Sequence, residues 1–457
     1  MASAMLLLEA SCSDDSSGAS SGTPEAGTDV SAPDSAGSDG GGSDATSEDP
    51  ATLGPVTARV RDLGGPFAGV KVYFQVAGAF EEATTDASGL AMHQGGAVDS
   101  VTAVLTGPTG GTWIETAVGG APGEVLDFVV AGDRRPDLTV STKAAAPDAS
   151  VDNVRAFFCD ANHVLSPGTS EEWSAPRYCV NAANGVDVYF AAENAGVAQA
   201  VATKPALADG SAYAVDLAGA EWSSPATANL VLSGNANGTG TNLFAMAVVT
   251  KDNRTLDYGK LNQDVVAPYS AIPFRKLPAG GANAIRLVIS EAGPTANAAS
   301  NLWASVPVPS GDITQDLGAL MPFITSASIG GTAASPTLVY ATQASVSGVV
   351  GAHVVLTKKG DAGADVSMQW AVRVPVTTAG TLTLPALPPA IASMLPVDFA
   401  WDATPEMSLV ASPQIATFEK FRTLSALAFF YAEQIRGLAP VLPGSYTVTD
   451  TRWARSN

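Results

Sequence analysis

The 457-residue sequence predicts a mainly β protein, in which tandem β-sandwich-type domains follow a disordered acidic N-terminal tail. Three observations predict this class: abundant turn-forming residues, a period-two alternation of apolar and polar side chains, and a long polar tract near the start. The chain has 45 Gly and 30 Pro but only 15% charged residues, which favours turns and strands over long solvated helices. Because 457 residues exceed one small core, we expect three folded domains.

The formal net charge of −21 is concentrated at the N-terminal end, where ten acidic residues and no Lys or Arg precede Arg59. A nucleic-acid partner is not expected, since binding phosphates requires a basic face and none is visible. A membrane-spanning helix is not expected either, because no run of about 18 apolar residues occurs.

Residues 1–12, Met-Ala-Ser-Ala-Met-Leu-Leu-Leu-Glu-Ala-Ser-Cys, form a short apolar run that ends in small residues and a cysteine. This segment resembles the end of a bacterial lipoprotein signal peptide, in which the cysteine is lipidated and becomes the new N-terminus. Ala10 and Ser11 fit the small positions before Cys12, whereas Glu9 stands where such signals usually have Leu. The resemblance implies export and lipidation of Cys12. The alternative is an ordinary disordered N-terminus with a free thiol.

Residues 13–52 consist mainly of Ser, Asp, Gly, Ala and Thr, with almost no large apolar side chain to bury. Such a segment cannot offset the entropy lost on ordering, so it is predicted to be disordered. As a flexible chain it would reach about 35 Å, which suits a tether between a membrane and the folded domains.

Residues 53–132 show the strongest strand pattern, because Val56–Asp62 and Gly69–Phe74 both alternate apolar and polar residues around turn sequences. The stretch from about 55 to 131 resembles the bacterial immunoglobulin-like domains of surface adhesins and the related carboxypeptidase regulatory-like domain, which are β-sandwiches. The resemblance implies a spacer or adhesive role and no catalysis, and no second clear copy is visible downstream. It is carried by turn and core positions, namely Asp62, Gly64, Pro66, Gly69, Val70, Asp86 and Gly89.

Residues 136–310 keep the same alternation, in β-branched and aromatic runs bounded by Gly, Asn and Pro, and are predicted to form a second β-domain. Cys159 and Cys179 lie near its start and, in an oxidising compartment, would close a loop of about 20 residues that adds about 3 kcal/mol of stability. The alternative is two buried free thiols. A metal site is not expected, since only His163 and Asp160 offer further ligands nearby.

Residues 319–457 are predicted to form a third β-rich domain with one C-terminal amphipathic helix near 413–437. Within that span the apolar residues recur every three or four positions, which is the spacing of one helix face. Ser412 as N-cap, Pro413 in the first turn and Gly437 near the end fit helix boundaries. The stripe is expected to face the core rather than a membrane or a partner.

No recognisable active-site motif emerges, and neither catalytic residues nor a cofactor are expected. His93, His163 and His353 lie in different segments and are interpreted as turn or surface histidines. The acidic pairs Glu81-Glu82 and Glu171-Glu172 occur in sequence that looks like loops. A hydrolase built from separated acids is the third functional hypothesis.

The favoured hypothesis is a non-enzymatic, surface-exposed or secreted binding or structural protein that is anchored as a lipoprotein. Its expected partner is cell-wall polysaccharide or a surface protein. The runner-up is a secreted carbohydrate-binding protein, which predicts exposed tryptophans on one sheet face. The five tryptophans near turn residues are interpreted mainly as core or domain-interface residues: Trp113, Trp173, Trp222, Trp303 and Trp401.

Overall fold

The computed structural model describes residues 54–454 with gaps, and its described part is mainly β, as the sequence predicts. The predicted lipoprotein segment 1–12 and the predicted tether 13–52 lie outside the described residues. The gaps are 63–64, 107–110, 130–136, 145–149, 159–160, 166–169, 176–184, 195–196, 216–223, 225, 236–242, 252–253, 256–260, 266–267, 277–283, 308–310, 360–365, 378–379, 396–398, 403 and 425–445.

The first group of strands, which we call unit I, forms two facing sheets. In the smaller sheet β1 lies between β5, which is antiparallel to it, and β8, which is parallel to it. The larger sheet has the order β7-β6-β3-β4. The strands are β1 (Val56–Asp62), β2 (Gly65–Pro66), β3 (Lys71–Val76), β4 (Ala79–Thr84), β5 (Leu90–His93), β6 (Val98–Thr106), β7 (Thr112–Gly120) and β8 (Val125–Val129).

The alternating residues of unit I point their apolar side chains into one core between these sheets. Asp86 and Gly89, which the sequence analysis places among the turn and core positions, form a turn: the Asp86 carboxylate accepts hydrogen bonds from the backbone N–H groups of Ser88 and Leu90 at 2.8 and 3.0 Å. Gly89 has a φ of +73°, and a Cβ there would overlap the carbonyl oxygen of Val60. The turn therefore requires glycine at this position.

Unit II repeats this arrangement, except that the short strand β2 has no counterpart among its described strands. Its smaller sheet has the order β12-β9-β15 with β15 parallel to β9, and its larger sheet has the order β14-β13-β10-β11. The strands are β9 (Leu138–Ala144), β10 (Asn153–Phe158), β11 (Ala161–Leu165), β12 (Ser170–Ala175), β13 (Gly185–Asn194), β14 (Val197–Ala208) and β15 (Ser211–Val215).

Unit III has the same plan again. Its smaller sheet is β20-β16-β23 with β23 parallel to β16, and its larger sheet runs β22-β21-β17, with β18 and β19 both paired to β17. The strands are β16 (Ala226–Ser233), β17 (Leu243–Lys251), β18 (Arg254–Thr255), β19 (Leu261–Val265), β20 (Ile272–Lys276), β21 (Ala284–Ala292), β22 (Ala298–Pro307) and β23 (Ile313–Asp316).

Unit IV keeps the larger sheet, in the order β30-β29-β26-β27, but changes the smaller one to β28-β25-β24. In unit IV the central strand of the smaller sheet is β25, and β24 takes the position that β8 has in unit I. β24 precedes β25 in the chain and runs antiparallel to it, whereas β8 follows β1 and is parallel to it. The elements are β24 (Ile324–Thr332), β25 (Ser335–Thr342), β26 (Val349–Lys359), β27 (Val366–Val374), β28 (Thr381–Thr383), α1 (Pro389–Ala392), β29 (Glu406–Ala411), α2 (Phe418–Arg422) and β30 (Tyr446–Trp453).

The strands of units II and III lie between Leu138 and Asp316, where the sequence analysis places one β-domain over 136–310. The sandwich topology of unit I recurs downstream although no second copy is visible in the sequence. The reason is that strand order depends on which apolar faces meet in the core, and it does not require the turn residues of unit I to be repeated.

The larger sheets of units I, III and IV join into one sheet of thirteen strands. Units III and IV meet through the antiparallel pair β22 and β30, and units IV and I meet through the parallel pair β27 and β7. We call this assembly the long sheet. The first and last units of the chain are thus hydrogen-bonded to one another.

Of the predicted helix over 413–437, residues 413–424 are described, and only Phe418–Arg422 of these are helical, with Thr423 as the C-cap. α2 begins at Phe418 with Thr417 as its N-cap, because the Thr417 hydroxyl accepts the backbone N–H of Lys420. Ser412 is not the N-cap of a helix, because residues 413–417 are not helical; its hydroxyl accepts the backbone N–H of Gln414 at 3.2 Å and donates to the carbonyl oxygen of Thr447 at 2.7 Å. Residues 425–437 lie outside the described part, and the described helices include none long and apolar enough to span a membrane.

Candidate functional site

One face of the long sheet carries a row of polar side chains where unit IV meets unit I. Arg373 on β27 lies beside His353 on β26, His353 lies beside Ser408 on β29, and Ser408 lies beside Arg452 on β30. Directly paired residues on neighbouring strands point to the same side of a sheet. We call these four residues the polar row. Arg373, His353 and Ser408 are buried, although charged groups are almost never fully buried without partners.

Two carboxylates in the adjacent row balance the two arginines. Glu115 on β7 lies 3.1 Å from Arg373 Nη2, and both side chains are fully buried. Glu406 on β29 lies 3.8 Å from Arg452 Nη2, where both side chains are partly exposed. The two ion pairs therefore flank His353, and the pair at Arg373 lies in the less polar environment of the two.

Arg373 connects unit IV to both sheets of unit I. Its Nη2 donates to the carbonyl oxygen of Asp127 on β8 at 2.9 Å, while the same nitrogen contacts Glu115 on β7. The guanidinium carbon lies 5.1 Å from the ring centre of Phe128. The side chain thus fills the open side of the unit I sandwich, between the edge strands of its two sheets.

Burial lowers the pKa of the Arg373 guanidinium from its ordinary value, and the charges of Glu115 and Asp127 oppose this change. A guanidinium stays protonated in proteins, so it is a permanent donor and cannot act as a base. The planar guanidinium presents several N–H donors in fixed directions, which suits the several acceptors that surround it. The arrangement can hold two units together, and it lacks the proton-transfer chemistry of a general base.

Residues 412–424, which we call the clasp segment, cross the same face of the long sheet. Arg373 Nη1 donates to the carbonyl oxygens of Arg422, at 2.5 Å, and of Leu424. The Arg422 guanidinium forms two hydrogen bonds with the carboxylate of Glu124 in unit I, at 2.9 and 2.7 Å. The clasp segment is therefore attached to unit IV and to unit I at once.

The apolar side of the clasp segment covers the rest of this face. Ile415 and Phe421 are fully buried and belong to a cluster with Trp303 of β22 and Val410 of β29. Gly351 on β26 makes this contact close, since a Cβ at that position would lie 2.5 Å from the Phe421 ring. Both faces of the long sheet are consequently buried in its central part.

His353 lies between the two arginines of the polar row. Burial, with a further contribution from the charges of Arg373 and Arg452, lowers the pKa of this imidazole from 6.5 to about 3. His353 is therefore neutral at physiological pH. The interpretation as a turn or surface histidine is wrong for this residue, which is buried in the middle of a strand.

A second buried polar group lies where units III and IV meet. Trp303 Nε1 donates to the Asp450 carboxylate at 2.7 Å, and the Asn301 side-chain amide donates to the other carboxylate oxygen at 3.3 Å. Asn301 and Asp450 are directly paired across β22 and β30. The carboxylate of Asp450 thereby fixes the register of the strands that join these two units.

Replacing Trp303 with Phe should lower the free energy of unfolding by about 1.5–3 kcal/mol, because a buried carboxylate loses a charge-assisted donor. Trp370→Phe is the matched control, since Trp370 Nε1 donates to the neutral hydroxyl of Thr116 at 2.9 Å. That change should cost only about 1 kcal/mol. Urea unfolding of both variants checks the difference, and equal losses would show that the charge of Asp450 is unimportant.

The other two histidines form pairs with the acidic residues that the sequence places in loops. His93 Nδ1 lies 2.9 Å from Glu81, and His163 Nε2 lies 2.8 Å from Glu171. The loop assignment is wrong, because Glu81 and Glu82 lie on β4, and Glu171 and Glu172 lie on β12. Each His–Glu pair joins the two sheets of its own unit at equivalent strands.

The tryptophans that the structure describes belong mainly to the interior. Trp173, Trp303 and Trp401 are buried and Trp113 is half-buried against the unit I core. Trp173 Nε1 donates to the Thr142 hydroxyl, and Trp401 Nε1 donates to the carbonyl oxygen of Ala333. Core packing is thus confirmed for the buried three, while Trp222 lies outside the described residues.

The predicted disulfide and lipidation positions cannot be placed, since Cys12, Cys159 and Cys179 lie outside the described residues. In the part of the chain that is described, no group of three or more His, Cys, Asp or Glu side chains is arranged to hold a metal ion.

Arg373 and Glu115 were missed by the sequence reasoning, although a signal was present. Each is a single charged residue inside an apolar strand: Arg373 lies between Val372 and Val374, and Glu115 follows Ile114. A charge at such a position predicts a buried partner of opposite sign. The sequence does not indicate which partner, because the two residues are more than 250 positions apart.

Comparisons with known proteins give little guidance. No protein-family model matches the chain, and no curated protein matches it. Among solved structures it is similar to the TIE protein of Bacillus anthracis, with 8% identity and a TM-score of 0.14 over 57% of this chain, and it spans 50% of that chain. It is also similar to a Ca²⁺-stabilised, ice-binding adhesin of an Antarctic bacterium, with 9% identity and a TM-score of 0.11 over 79% of this chain and 94% of that one. At these TM-scores neither similarity defines the fold or the function of the present chain.

Proposed function

We propose that this protein is a non-enzymatic structural or binding lipoprotein, displayed on a bacterial surface. The observation that carries the proposal is the repeated sandwich plan, in which three of four units share one continuous sheet. Such an assembly buries its apolar faces between units and holds the remaining surfaces at fixed positions. That architecture suits a rigid platform that presents its surface to a partner.

Unit I supports the proposal through its turn and core residues, which are those that suggested an adhesin-type immunoglobulin-like or carboxypeptidase regulatory-like domain. The polar side chains at the junction of units IV and I support it as well. Arg373, Glu115 and Arg422 are all engaged in contacts that join units. Removing one partner of such a buried pair is strongly destabilising, so these groups keep the joined units in one arrangement.

The acidic tract before Arg59 supports surface display. With a lipid on Cys12, residues 13–52 would act as a charged tether that keeps the folded units away from the membrane. The partner we propose is cell-wall polysaccharide or a surface protein. The buried tryptophans of the described residues give no support to carbohydrate stacking as the main binding mode.

The experiment is to produce the protein in a bacterial host from its gene with the upstream sequence, beside a Cys12→Ala variant. We expect the wild type to be cleaved before Cys12, to gain acyl mass and to partition with membranes. The Cys12→Ala variant should do none of these. Intact-mass spectrometry and detergent phase partitioning provide the measurements.

A Cys159→Ala variant is the matched control, since it removes another cysteine and should still be acylated and membrane-bound. If the wild type and Cys12→Ala are both soluble and unmodified, surface anchoring through Cys12 is refuted. Secreted carbohydrate binding would then become the leading hypothesis.

A further inference from the structure

Strand β24 of unit IV has an outer edge that no other described strand pairs with. It is the last strand of its three-stranded sheet, which has the order β24-β25-β28. β24 is nine residues long, whereas β28 at the opposite edge has only three. A long strand at a sheet edge presents a row of backbone donors and acceptors that can pair with another strand.

The register of the sheet shows which residues supply those groups. Tyr340 N donates to the carbonyl oxygen of Gly380, and Leu384 N donates to that of Pro336, so the even-numbered residues of β25 bond toward β28. The odd-numbered residues of β25 therefore bond toward β24, where Val339 is paired with Ser328. It follows that Ala327, Ile329 and Gly331 direct their backbone groups to the outer edge of β24.

From Ser326 onward this edge has few of the features that commonly protect exposed strands, since the register shift between Ile324 and Ser326 is confined to its start. Residues 324–332 read Ile-Thr-Ser-Ala-Ser-Ile-Gly-Gly-Thr, without a charged residue or a proline. Elsewhere, β4 carries Glu81 and Glu82, β12 carries Glu171 and Glu172, and β20 carries Pro273. Charges and prolines at an edge discourage pairing with other chains, so β24 is an unprotected edge.

The outer face of the same sheet is also uncharged. It presents small hydroxyl and apolar side chains on all three strands: Ser326, Ser328, Thr332, Ser335, Thr337, Val339, Ala341, Thr381 and Thr383. Ten of the acidic residues behind the net charge of −21 lie before Arg59, so residues 59–457 carry −11, and two copies repel each other where their folded units expose carboxylates. This sheet is a place where they can approach without bringing carboxylates together.

The chain already uses edge pairing to join its own units. β22 of unit III and β30 of unit IV occupy the same place in their respective larger sheets, and they pair antiparallel. An antiparallel pair of equivalent strands has two-fold symmetry, which is the symmetry of the commonest protein dimers. A second copy of this chain is therefore the occupant that best fits the β24 edge.

We propose that β24 pairs antiparallel with β24 of a second copy, about a two-fold axis at Ser328. In this register Ala327 of one copy lies opposite Ile329 of the other, and their outward backbone groups form hydrogen bonds. Both side chains are half-buried on the inner face and pack against the unit IV core, so pairing extends that apolar layer. The two three-stranded sheets become one sheet of six strands.

The axis position provides a sharp test, because Ser328 of one copy then lies directly opposite Ser328 of the other. Ser328 is exposed, so a charge there is tolerated in a single copy. We expect the wild type to sediment as a dimer, and both Ser328→Lys and Ser328→Glu to dissociate with a dimer Kd raised at least about tenfold. An equimolar mixture of the two variants should dimerise again, since opposite charges then meet at the axis.

Thr383→Lys is the matched control, because it places the same charge on the same face but two strands away, about 10 Å from the β24 edge. It should sediment as the wild type does, and thermal unfolding should show that all variants are folded. A wild type that is monomeric at every concentration in analytical ultracentrifugation would overturn the proposal. Dimers that persist in both Ser328 variants would overturn it as well.

Discussion

Replacing Arg373 with methionine is expected to lower the free energy of unfolding by about 3–5 kcal/mol, the largest effect of any single change considered for this protein. The substitution leaves the Glu115 carboxylate buried without its guanidinium. It also removes the donor that the carbonyl oxygens of Asp127, Arg422 and Leu424 share. Urea unfolding followed by tryptophan fluorescence measures the loss.

The double variant Arg373→Met with Glu115→Leu separates the charge effect from the loss of packing. An uncompensated buried charge is what makes the single variant so unstable, so removing both charges should restore part of the lost stability. Lys71→Met is a suitable control, since Lys71 pairs with Glu82 on the exposed surface and its loss should change stability little. A double variant that is less stable than Arg373→Met would show that the Glu115 carboxylate is compensated by other groups when the guanidinium is removed.

Mild acid is expected to destabilise the protein through His353, by about 2 kcal/mol between pH 7.5 and pH 5. The folded state holds this imidazole neutral with a pKa of about 3, whereas its pKa when unfolded is near 6.5. Below pH 6.5 the unfolded chain therefore binds a proton that the folded chain does not bind. The contribution of His353 to stability is complete above pH 6.5 and is lost progressively as the pH falls toward 3.

The measurement is urea unfolding of the wild type and of His353→Gln at several pH values in this range. Arg373 and Arg452, whose charges act on His353, and their partners Glu115 and Glu406 are present in both proteins, so their effects largely cancel when the two free energies are subtracted. The wild type should lose stability more steeply than His353→Gln, by at most about 1.4 kcal/mol per pH unit. Parallel pH dependences would show that His353 is not held neutral by burial.

The junction between units I and IV also affects how the chain folds. β7 and β27 are far apart in sequence, and their parallel pairing joins the first unit to the last. Long-range parallel pairing forms slowly, because the loop-closure entropy must be offset before the contacts form. Arg373 and the clasp segment stabilise the junction once it exists. Units I, III and IV are thus connected through the long sheet rather than forming separate sandwiches.

Much of the local structure of unit I follows from its sequence. The alternation in Val56–Asp62 determines which side chains point inward, and Asp86 with Gly89 determines the turn before β5. Both are properties of a few consecutive residues, in which backbone sterics and local hydrogen bonds decide the conformation. α2 begins later than the sequence predicts, because Ser412 and Thr417 can both act as N-caps, and the Ser412 hydroxyl instead accepts from Gln414 N in a local turn and donates to Thr447 O.

The sequence by itself determined that this protein is mainly β, acidic at its N-terminal end and built from strands with inward-facing apolar residues. Those properties depend on composition and on the period-two pattern, which are readable without knowing any long-range contact. Only the tertiary structure decided that one sandwich plan recurs, that three units share the long sheet, and that Arg373 meets Glu115. Strand partners and buried charge pairs are selected by the packing of residues hundreds of positions apart, and no local pattern encodes that choice.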